Sequence, residues 1–440
     1  MTTFRKSNNG RTKMKIKVKN LSYEQVLALP KPPHILPKRP GLFFRALVRA
    51  AAQPDLSATH FTFEKHRMEP AEGKPCLILM NHSSFLDLEI VSRIFFPKPY
   101  CIVCTSDGFV GKPGLMRNLG CIPTQKFVSD VSLIHDIQYA IRDLRTSVLM
   151  YPEASYTFDG TATPLPRKLG ILLKKLEAPV VMIKTEGAFT RDPLYNCLQK
   201  RKVDVHADVT CLLTPEEIRE KSVRELDAVL DEAFTFDHFA WQREKGVRIP
   251  EPFRADGLNR ILYRCPVCGR EGCMEGSGET LTCHACGKAW HMDELGQLEA
   301  ESGESVFTHI PDWYRWERQQ VRQELENGSY QLDTPVRIGV LRDYKSIYMV
   351  GTGRLQHSTD GFTLTGCGGA LEYHQSPLAN YGLYADYYWY ELGDIICIGS
   401  GDLLYYCFPE QKDVVAKTRM AAEELYKLKK EAQKTRLRSE

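Results

Sequence analysis

The chain has 440 residues, of which 43% are apolar and 26% charged, and its formal net charge is +3. These values are typical of a folded globular protein with room for two or three domains. Residues 1–50 hold 12 Lys or Arg and one acid, a charge of +11, and the remainder carries −8. The basic N-terminal arm, residues 1–40, therefore predicts an anionic partner, either a membrane surface or a nucleic acid.

The apolar pattern excludes two other classes of protein. No apolar run approaches the roughly 18 residues that are needed to span a bilayer. The N-terminus is basic but has no apolar core behind it, so it does not read as a secretory signal. Of the 14 cysteines, four are spaced for a metal and the others are scattered singly, as reduced thiols in a cytosol would be. We therefore predict a cytoplasmic protein that associates peripherally with the inner face of the membrane.

Residues 41–53 predict an amphipathic helix. Its apolar face includes Leu42, Phe43 and Leu47, and Arg45 and Arg49 lie one turn apart on another face. Such a helix can lie in a membrane interface with its aromatic side chains inserted. Packing against its own domain is an equally good interpretation of the pattern.

Strands and helices alternate over residues 60–212. Strands are predicted at 76–80, 100–105, 121–123, 147–151, 180–186 and 202–213. Helices are predicted at 85–94, 112–118, 130–145 and 166–176, and from Thr214 to about Phe234. This alternation predicts an α/β domain over residues 41–247, in which helices flank a mixed sheet.

The short apolar strand 76–80 is followed by polar residues that carry the first candidate for chemistry. His82 falls in the turn and Asp87 on the first turn of the next helix, and this strand–turn–helix brings the two side chains together. A neutral histidine held by a carboxylate can remove a proton from a hydroxyl near pH 7. The alternative is a purely structural pair, since short motifs of this kind also occur by chance.

Two further stretches end in charged residues. Lys126 closes a short strand and could present its charge to a phosphate, although such lysines are often only solvated. Pro152 ends the next apolar strand and presents Glu153 at its carboxyl edge, where open α/β sheets bind ligands.

These blocks together resemble the glycerophosphate and lysophosphatidic acid acyltransferase family, which is built on an H-x4-D motif. The segment Asn81-His-Ser-Ser-Phe-Leu-Asp87 matches the first block of the family. Residues 120–126 match G-x-I-x-x-x-R, with lysine in place of arginine, and 151–156 match F-P-E-G-T-R. Residues 179–181 match V-P-I-V-P, and 168–170 resemble a lysine–glycine pair that the family often has. The resemblance covers roughly residues 40–235.

The resemblance implies that His82 is the base and that Asp87 orients it. The acyl donor would be a thioester on coenzyme A or acyl-carrier protein, and backbone amides after His82 would stabilise the oxyanion. Glu153 would hold the glycerol-like part of the acceptor and Lys126 its phosphate; further expected contacts are Asn81, Ser83 and Ser155. The predicted reaction acylates the free hydroxyl of a lysophospholipid, first of all 1-acyl-glycerol-3-phosphate, in phospholipid biosynthesis.

Two departures from the family pattern leave the acceptor open. Tyr156 stands where the family has arginine, and Ala154 stands where it has glycine. Another lysolipid head group is compatible with these changes. They are also compatible with a different class of protein, a non-catalytic acyltransferase fold that binds protein or nucleic acid through its C-terminal modules.

A metal site is predicted independently of this resemblance. Four cysteines form a C-x2-C-x14-C-x2-C pattern within residues 260–297, which is the spacing of a zinc ribbon with a structural Zn²⁺; they are Cys265, Cys268, Cys283 and Cys286. The segment has few bases and several acids, which disfavours nucleic acid as its partner. We interpret it as a spacer or interaction module, and we expect a chelator to unfold it and leave acyl transfer largely intact.

The remaining chain predicts a linker helix over 311–328 and a β-rich domain over 332–440. Strands are predicted at 336–341, 346–350, 362–365, 387–392 and 403–408, before a final helix over 413–434. Several antiparallel strands followed by one helix resemble a PH-like split barrel at the level of the fold. Modules of that kind bind lipid head groups or peptides.

Overall fold

The computed structural model describes residues 16–128, 130–167 and 169–439. The front of the basic arm, residues 1–15, lies outside the described residues, as does Lys168 of the lysine–glycine pair. In the described part of the chain, no helix combines the length and apolar composition that crossing a bilayer requires.

The N-terminal segment contains one strand and two helices, β1 (Val18–Asn20), α1 (Tyr23–Leu27) and α2 (Leu42–Ala58). Ser22 caps α1 in a capping box with Gln25, which satisfies the free amides of its first turn. Tyr23 is buried, and its hydroxyl lies 2.8 Å from that of Tyr405. Residues 18–27 are therefore fixed against the far end of the chain rather than forming a free arm.

A seven-stranded mixed sheet forms the α/β domain. Its strands are β2 (Thr62–His66), β3 (Leu77–Met80), β4 (Tyr100–Thr105), β5 (Cys121–Thr124), β6 (Ser147–Met150), β7 (Val180–Glu186) and β8 (His206–Leu213). Its helices are α3 (Asp87–Phe95), α4 (Pro113–Asn118), α5 (Val131–Arg142), α6 (Leu169–Leu176), α7 (Ala188–Arg191), α8 (Pro215–Glu220), α9 (Val223–Ala233) and α10 (His238–Glu244).

The strand order β2-β8-β7-β3-β6-β4-β5 places β3 and β6 side by side at the centre. Every pairing is parallel except that of β7 with β8. The prediction of a mixed sheet flanked by helices is thus confirmed. The carboxyl ends of β3 and β6 carry His82 and Glu153, so the topology brings these two loops to one edge of the sheet.

The secondary structure differs from the prediction in several places, and two of these differences have a clear physical cause. The exposed edge strand β2 was not predicted, because its polar pattern gives no apolar signal. The single helix predicted after Thr214 is two helices, since Lys221 is extended and Ser222 begins a second capping box with Glu225.

The four-cysteine segment, residues 260–297, lies in a small antiparallel sheet of order β12-β11-β10-β9. Its strands are β9 (Met274–Ser277), β10 (Thr280–Cys283), β11 (Ala289–Met292) and β12 (Leu298–Ala300), and helix α11 (Ile310–Glu326) follows. Trp290 on β11 and Trp313 on α11 are both fully buried, with ring centroids 4.9 Å apart. The helix is therefore packed onto the small sheet.

The C-terminal domain is a second, antiparallel sheet followed by a long helix. Its elements are β13 (Leu332–Leu341), β14 (Ile347–Ser358), β15 (Gly361–Gly366), β16 (Leu371–Gln375), β17 (Tyr384–Trp389), β18 (Gly393–Gly399), β19 (Leu404–Pro409) and α12 (Val415–Ser439). The order is β16-β15-β14-β13-β19-β18-β17, and β1 pairs in parallel with β14. A β-rich domain with a C-terminal helix is present, and its likeness to a PH domain stays a prediction.

One apolar core joins all three parts of the protein. It contains Phe189 and Phe239 of the α/β domain, Leu281 of the small sheet, and Val336 and Met420 of the C-terminal domain. The segment 248–259, between the α/β domain and the four-cysteine segment, contributes buried side chains to the same core. The predicted domain boundaries stay predictions, and the packing shows no free spacer among the described residues.

Candidate active site

The turn after β3 brings His82 and Asp87 together as the spacing predicts. Asp87 is the first residue of α3, and its Oδ2 lies 2.9 Å from Nδ1 of His82. Asp87 is buried, whereas the His82 side chain keeps about 14% of its surface exposed. Because Nδ1 is engaged by the carboxylate, Nε2 is the ring nitrogen available to accept a proton.

The backbone amides after His82 have a different role from the one that the resemblance implies. The N–H groups of Ser83 and Ser84 donate to Oδ2 of Asp87, at 2.9 and 3.2 Å. They hold the carboxylate and are not available to an oxyanion, so that expectation is corrected for these two amides. Burial raises the pKa of the Asp87 carboxyl, and the two amide hydrogen bonds oppose that rise by stabilising the carboxylate.

Two tyrosines stack on the imidazole of His82. The ring centroids of Tyr151 and Tyr156 lie 4.1 and 3.8 Å from that of His82, at interplanar angles of 24° and 27°. Each face of the imidazole accommodates one ring, so the two tyrosines fix its orientation. Burial lowers the pKa of His82 well below its usual value, and the charge of Lys126 lowers it further. The imidazole is therefore neutral at pH 7, as a general base must be.

Glu153 braces the His82 turn from the neighbouring strand. One carboxylate oxygen accepts the backbone N–H of His82 at 3.0 Å, and the other accepts the N–H and hydroxyl of Thr163 at 2.9 and 3.0 Å. Glu153 is buried and is not among the residues that line the adjacent cavity. Burial raises the pKa of its carboxyl to about 7. Its surroundings support positioning of His82 rather than contact with an acceptor.

Three other predicted substrate contacts also turn toward the protein. Asn81 is fully buried, and its amide oxygen accepts the backbone N–H of Thr185 at 2.9 Å. Ser83 Oγ lies 3.0 Å from Nε2 of His238. Ser155 Oγ donates to the carbonyl of Tyr156 at 3.3 Å. None of the three lines the cavity, so the geometry gives them structural roles at the ends of β3 and β6.

The third block contains a backbone conformation that explains the glycine of the family pattern. Ala154 has a φ of 54°, in the left-handed region that glycine adopts without steric cost. Tyr156, two positions later, stands where the pattern has arginine, and its ring stacks on His82. This chain therefore exchanges a cation at that position for a stacked aromatic side chain.

A cavity of about 710 Å³ opens at His82 and extends to the C-terminal domain. The α/β domain contributes Phe85, Leu88 and Lys126 to its lining, and Tyr384 and Asp386 of β17 form part of the opposite side. Most of the remaining lining is apolar or aromatic. The C-terminal domain thus supplies a wall of the candidate site, which the sequence did not predict.

Lys126 is the predicted phosphate contact that does lie in the cavity. Its Nζ is 4.2 Å from the ring centroid of Tyr384, a distance that allows a cation–π contact. Burial lowers the pKa of Lys126, whereas Asp386 and Asp107 raise it. Neither aspartate was a predicted site residue. Asp386 comes near Lys126 only through the packing of two domains, and Asp107 through the pairing of β4 with β5.

The four cysteines of the small sheet come together as predicted. Their Sγ atoms all lie within 4.8 Å of one another; those of Cys265 and Cys286 are 3.7 Å apart, and those of Cys268 and Cys283 are 3.8 Å apart. Four Zn–S bonds of about 2.3 Å at tetrahedral angles would place the sulfur atoms about 3.8 Å apart. The four thiols fit a closed tetrahedral metal site.

The α/β domain thus presents a His–Asp pair beside a largely apolar cavity. Residues 61–184 match the family model described as Acyltransferase. These residues form an acyltransferase domain, which confirms for this part of the chain the family recognised from the sequence blocks.

Two further comparisons were made with known proteins. The chain is similar to the crystal structure of the 1-acyl-sn-glycerophosphate (LPA) acyltransferase PlsC from Thermotoga maritima, with 13% identity and a TM-score of 0.34. That match covers 44% of this chain and 81% of the other. The comparison with curated proteins gave no match.

Proposed function

We propose that the protein transfers a fatty acyl group from an acyl thioester to the free hydroxyl of a lysophospholipid. The observation that carries this proposal is the His82–Asp87 pair, whose free ring nitrogen adjoins a cavity with largely apolar walls. Such walls suit an acyl chain, and a buried neutral imidazole suits the deprotonation of a hydroxyl. The family match supports acyl transfer as the reaction class.

The reaction proceeds in two proton-coupled steps. His82 Nε2 takes the proton of the acceptor hydroxyl while the oxygen attacks the thioester carbonyl carbon. The tetrahedral intermediate collapses, the carbon–sulfur bond breaks, and the thiolate leaves with the proton from the imidazolium. The products are an ester and a free thiol. Asp87 stabilises the imidazolium between the two steps, and Glu153 and the stacked tyrosines hold the ring in place.

The donor is coenzyme A or acyl-carrier protein, as the resemblance implies, and lysophosphatidate is the reference acceptor. The four cysteines are proposed to hold a structural Zn²⁺, since four thiolates close its coordination shell and leave no position for a substrate. Their separation from the cavity lining agrees with a structural role.

The experiment that tests the proposal measures turnover of the full-length protein. Acyl-CoA and acyl-carrier protein serve as donors, and a panel of lysophospholipids that includes lysophosphatidate serves as acceptors. We expect release of free thiol together with formation of the diacyl product. A folded, metal-loaded protein that gives no product with any pair would instead favour the non-catalytic binding protein.

We also propose that α2 docks the enzyme on an anionic membrane surface. Leu42, Phe43 and Leu47 expose 58%, 72% and 49% of their surface along this helix. The helix packs on α3, and Phe85 just before α3 and Leu88 in its first turn are both partly exposed and line the cavity. The apolar face of α2 is therefore connected to the cavity through α3, on which α2 packs.

Replacing Phe43 and Leu47 together by serine is expected to weaken binding to anionic vesicles by about tenfold or more, since each apolar side chain contributes about 1.5–3 kcal/mol when fully buried. Vesicle co-sedimentation at several lipid concentrations measures the change. Val131→Ser is the matched control, because Val131 is 82% exposed on a different helix. Equal binding of the double variant and the control would contradict the docking role of α2.

A further inference from the structure

The cavity beside His82 is lined by more carboxylates than lysines, which is unusual for a phosphate site. Among the described residues, the acidic and basic side chains that line it are His82, Asp87, Asp107, Lys126 and Asp386. The first two form the proposed catalytic pair. The rest of the lining therefore offers one lysine and two carboxylates to the head group of an acceptor.

The two carboxylates differ in how far the protein satisfies them. Asp107 accepts the Tyr384 hydroxyl at 3.2 Å, the indole N–H of Trp389 at 3.1 Å and the N–H of Gly108 at 3.1 Å. Asp386 has only 9% of its surface exposed, and one of its oxygens accepts the N–H of Tyr387 at 2.9 Å. Its other oxygen makes no hydrogen bond within the part of the chain that the structure describes. Asp386 thus presents a free carboxylate oxygen to the cavity.

Burial makes this free oxygen costly unless a cation meets it. The desolvation of Asp386 raises its pKa to about 6, and the charge of Lys126 opposes that rise. Lys126 has its Nζ over the Tyr384 ring and, among the described residues, makes no ion pair within 4.0 Å. Its three N–H donors are therefore still available to an anion.

The charge of the head group must match this arrangement. A phosphate monoester carries about −1.5 to −2 at pH 7 and would meet one lysine near two carboxylates. Among the described residues no second lysine or arginine lines the cavity: Tyr156 stands where the family pattern has arginine, and the nearby Arg419 donates to Glu423 and to the carbonyl of Tyr156. A phosphodiester carries a single negative charge, which one lysine balances. An ammonium group suits a free carboxylate oxygen with aromatic rings beside it.

We propose that the acceptor is a zwitterionic lysophospholipid whose head group joins a phosphodiester to an amine. Lys126 binds the phosphodiester, and Asp386 binds the ammonium group. The proposal rests on the proposed acyl transfer and replaces lysophosphatidate as the preferred acceptor. It makes Asp386, a residue of the C-terminal domain, a determinant of acceptor specificity.

The test compares three acceptors with the same acyl chain: lysophosphatidylethanolamine, lysophosphatidylglycerol and lysophosphatidate. The wild type is expected to use the amine-bearing acceptor with a kcat/KM about tenfold or more above the other two, as for one partly desolvated charge pair. Asp386→Asn should reduce the ratio of kcat/KM for the ethanolamine and glycerol acceptors about tenfold. Asp360→Asn, at an exposed turn of the same domain, should leave that ratio and the activity unchanged.

The outcomes separate this inference from the proposed function. Preference of the wild type for lysophosphatidate, or an equal ratio in wild type and Asp386→Asn, overturns the inference and leaves acyl transfer standing. Absence of turnover with all three acceptors overturns both. If Asp386→Asn fails to fold by thermal melting, the acceptor preference of the wild type alone decides the question.

Discussion

His82→Ala is expected to lower kcat/KM for acyl transfer by about 10²–10⁴-fold, the usual contribution of a general base. The alanine variant removes the only imidazole that lines the cavity among the described residues. His82→Gln keeps most of the side-chain volume between Tyr151 and Tyr156, so it separates lost chemistry from lost packing. Single-turnover kinetics with the best acceptor measure the effect.

Asp87→Asn should lower kcat/KM by about 10-fold or more, a smaller loss than that caused by removing the base itself. Its amide oxygen can still accept the N–H groups of Ser83 and Ser84, but it cannot stabilise an imidazolium. His135→Ala, on the exposed side of α5, is the control for substitution of a histidine elsewhere.

Full activity of the folded His82→Gln and His82→Ala variants would remove His82 from the mechanism.

Removal of the metal proposed at the four cysteines is expected to lower the rate of the proposed acyl transfer by about tenfold or more and to lower the melting temperature. This reverses the expectation from sequence that a chelator leaves the reaction intact. Structural zinc sites contribute directly to folding free energy. Because the small sheet shares a core with the α/β and C-terminal domains, its loss exposes apolar surface in all three.

A short chain of contacts connects the four-cysteine segment to the imidazole. Glu271 accepts from Nζ of Lys417 on α12 at 2.8 Å. Two residues later, the guanidinium of Arg419 donates to the carbonyl of Tyr156 at 3.2 Å. Tyr156 in turn stacks on His82. Disorder in the metal segment would therefore release α12 and, through it, the ring that orients the base.

The measurement follows metal content, melting temperature and kcat/KM together during chelation. Cys283→Ser should reproduce the loss, since Cys283 is buried within the tetrahedral set. Cys273→Ser is the matched control, because Cys273 lies in the same segment and outside that set. Metal-free protein that retains full activity would show that the segment is an independent appendage.

The local parts of the site could be predicted from sequence. The apolar strand before His82, the polar turn and the five-residue step to Asp87 bring the two side chains together through residues close along the chain, and the 2.9 Å contact follows. The geometry of the four cysteines could be predicted in the same way, because their spacing within two turns brings the thiols together. In both cases the residues that decide the geometry are close along the chain.

The roles of Glu153 and Asp386 could not be predicted in the same way. Glu153 was correctly expected at the edge of the sheet, but only the fold shows that both its oxygens are taken up by His82 and Thr163. Asp386 follows Lys126 by 260 residues and reaches it through the packing of two sheets. Sequence patterns report periodicity and spacing, and they contain no information on which distant surfaces meet.

The parallel pairing of β1 with β14 and the contact of Arg419 with Tyr156 have a consequence for biosynthesis. A chain is made from its N-terminus, and domains fold as they emerge. Here β1, the first described strand, can pair with its partner only after residue 347 has been made. The contact that supports the ring stacked on the base forms only after residue 419 has been made. A nascent or prematurely terminated chain therefore holds His82 and Asp87 without the wall that closes their cavity. We therefore expect the proposed acyl transfer only from a chain that has been synthesised through residue 419.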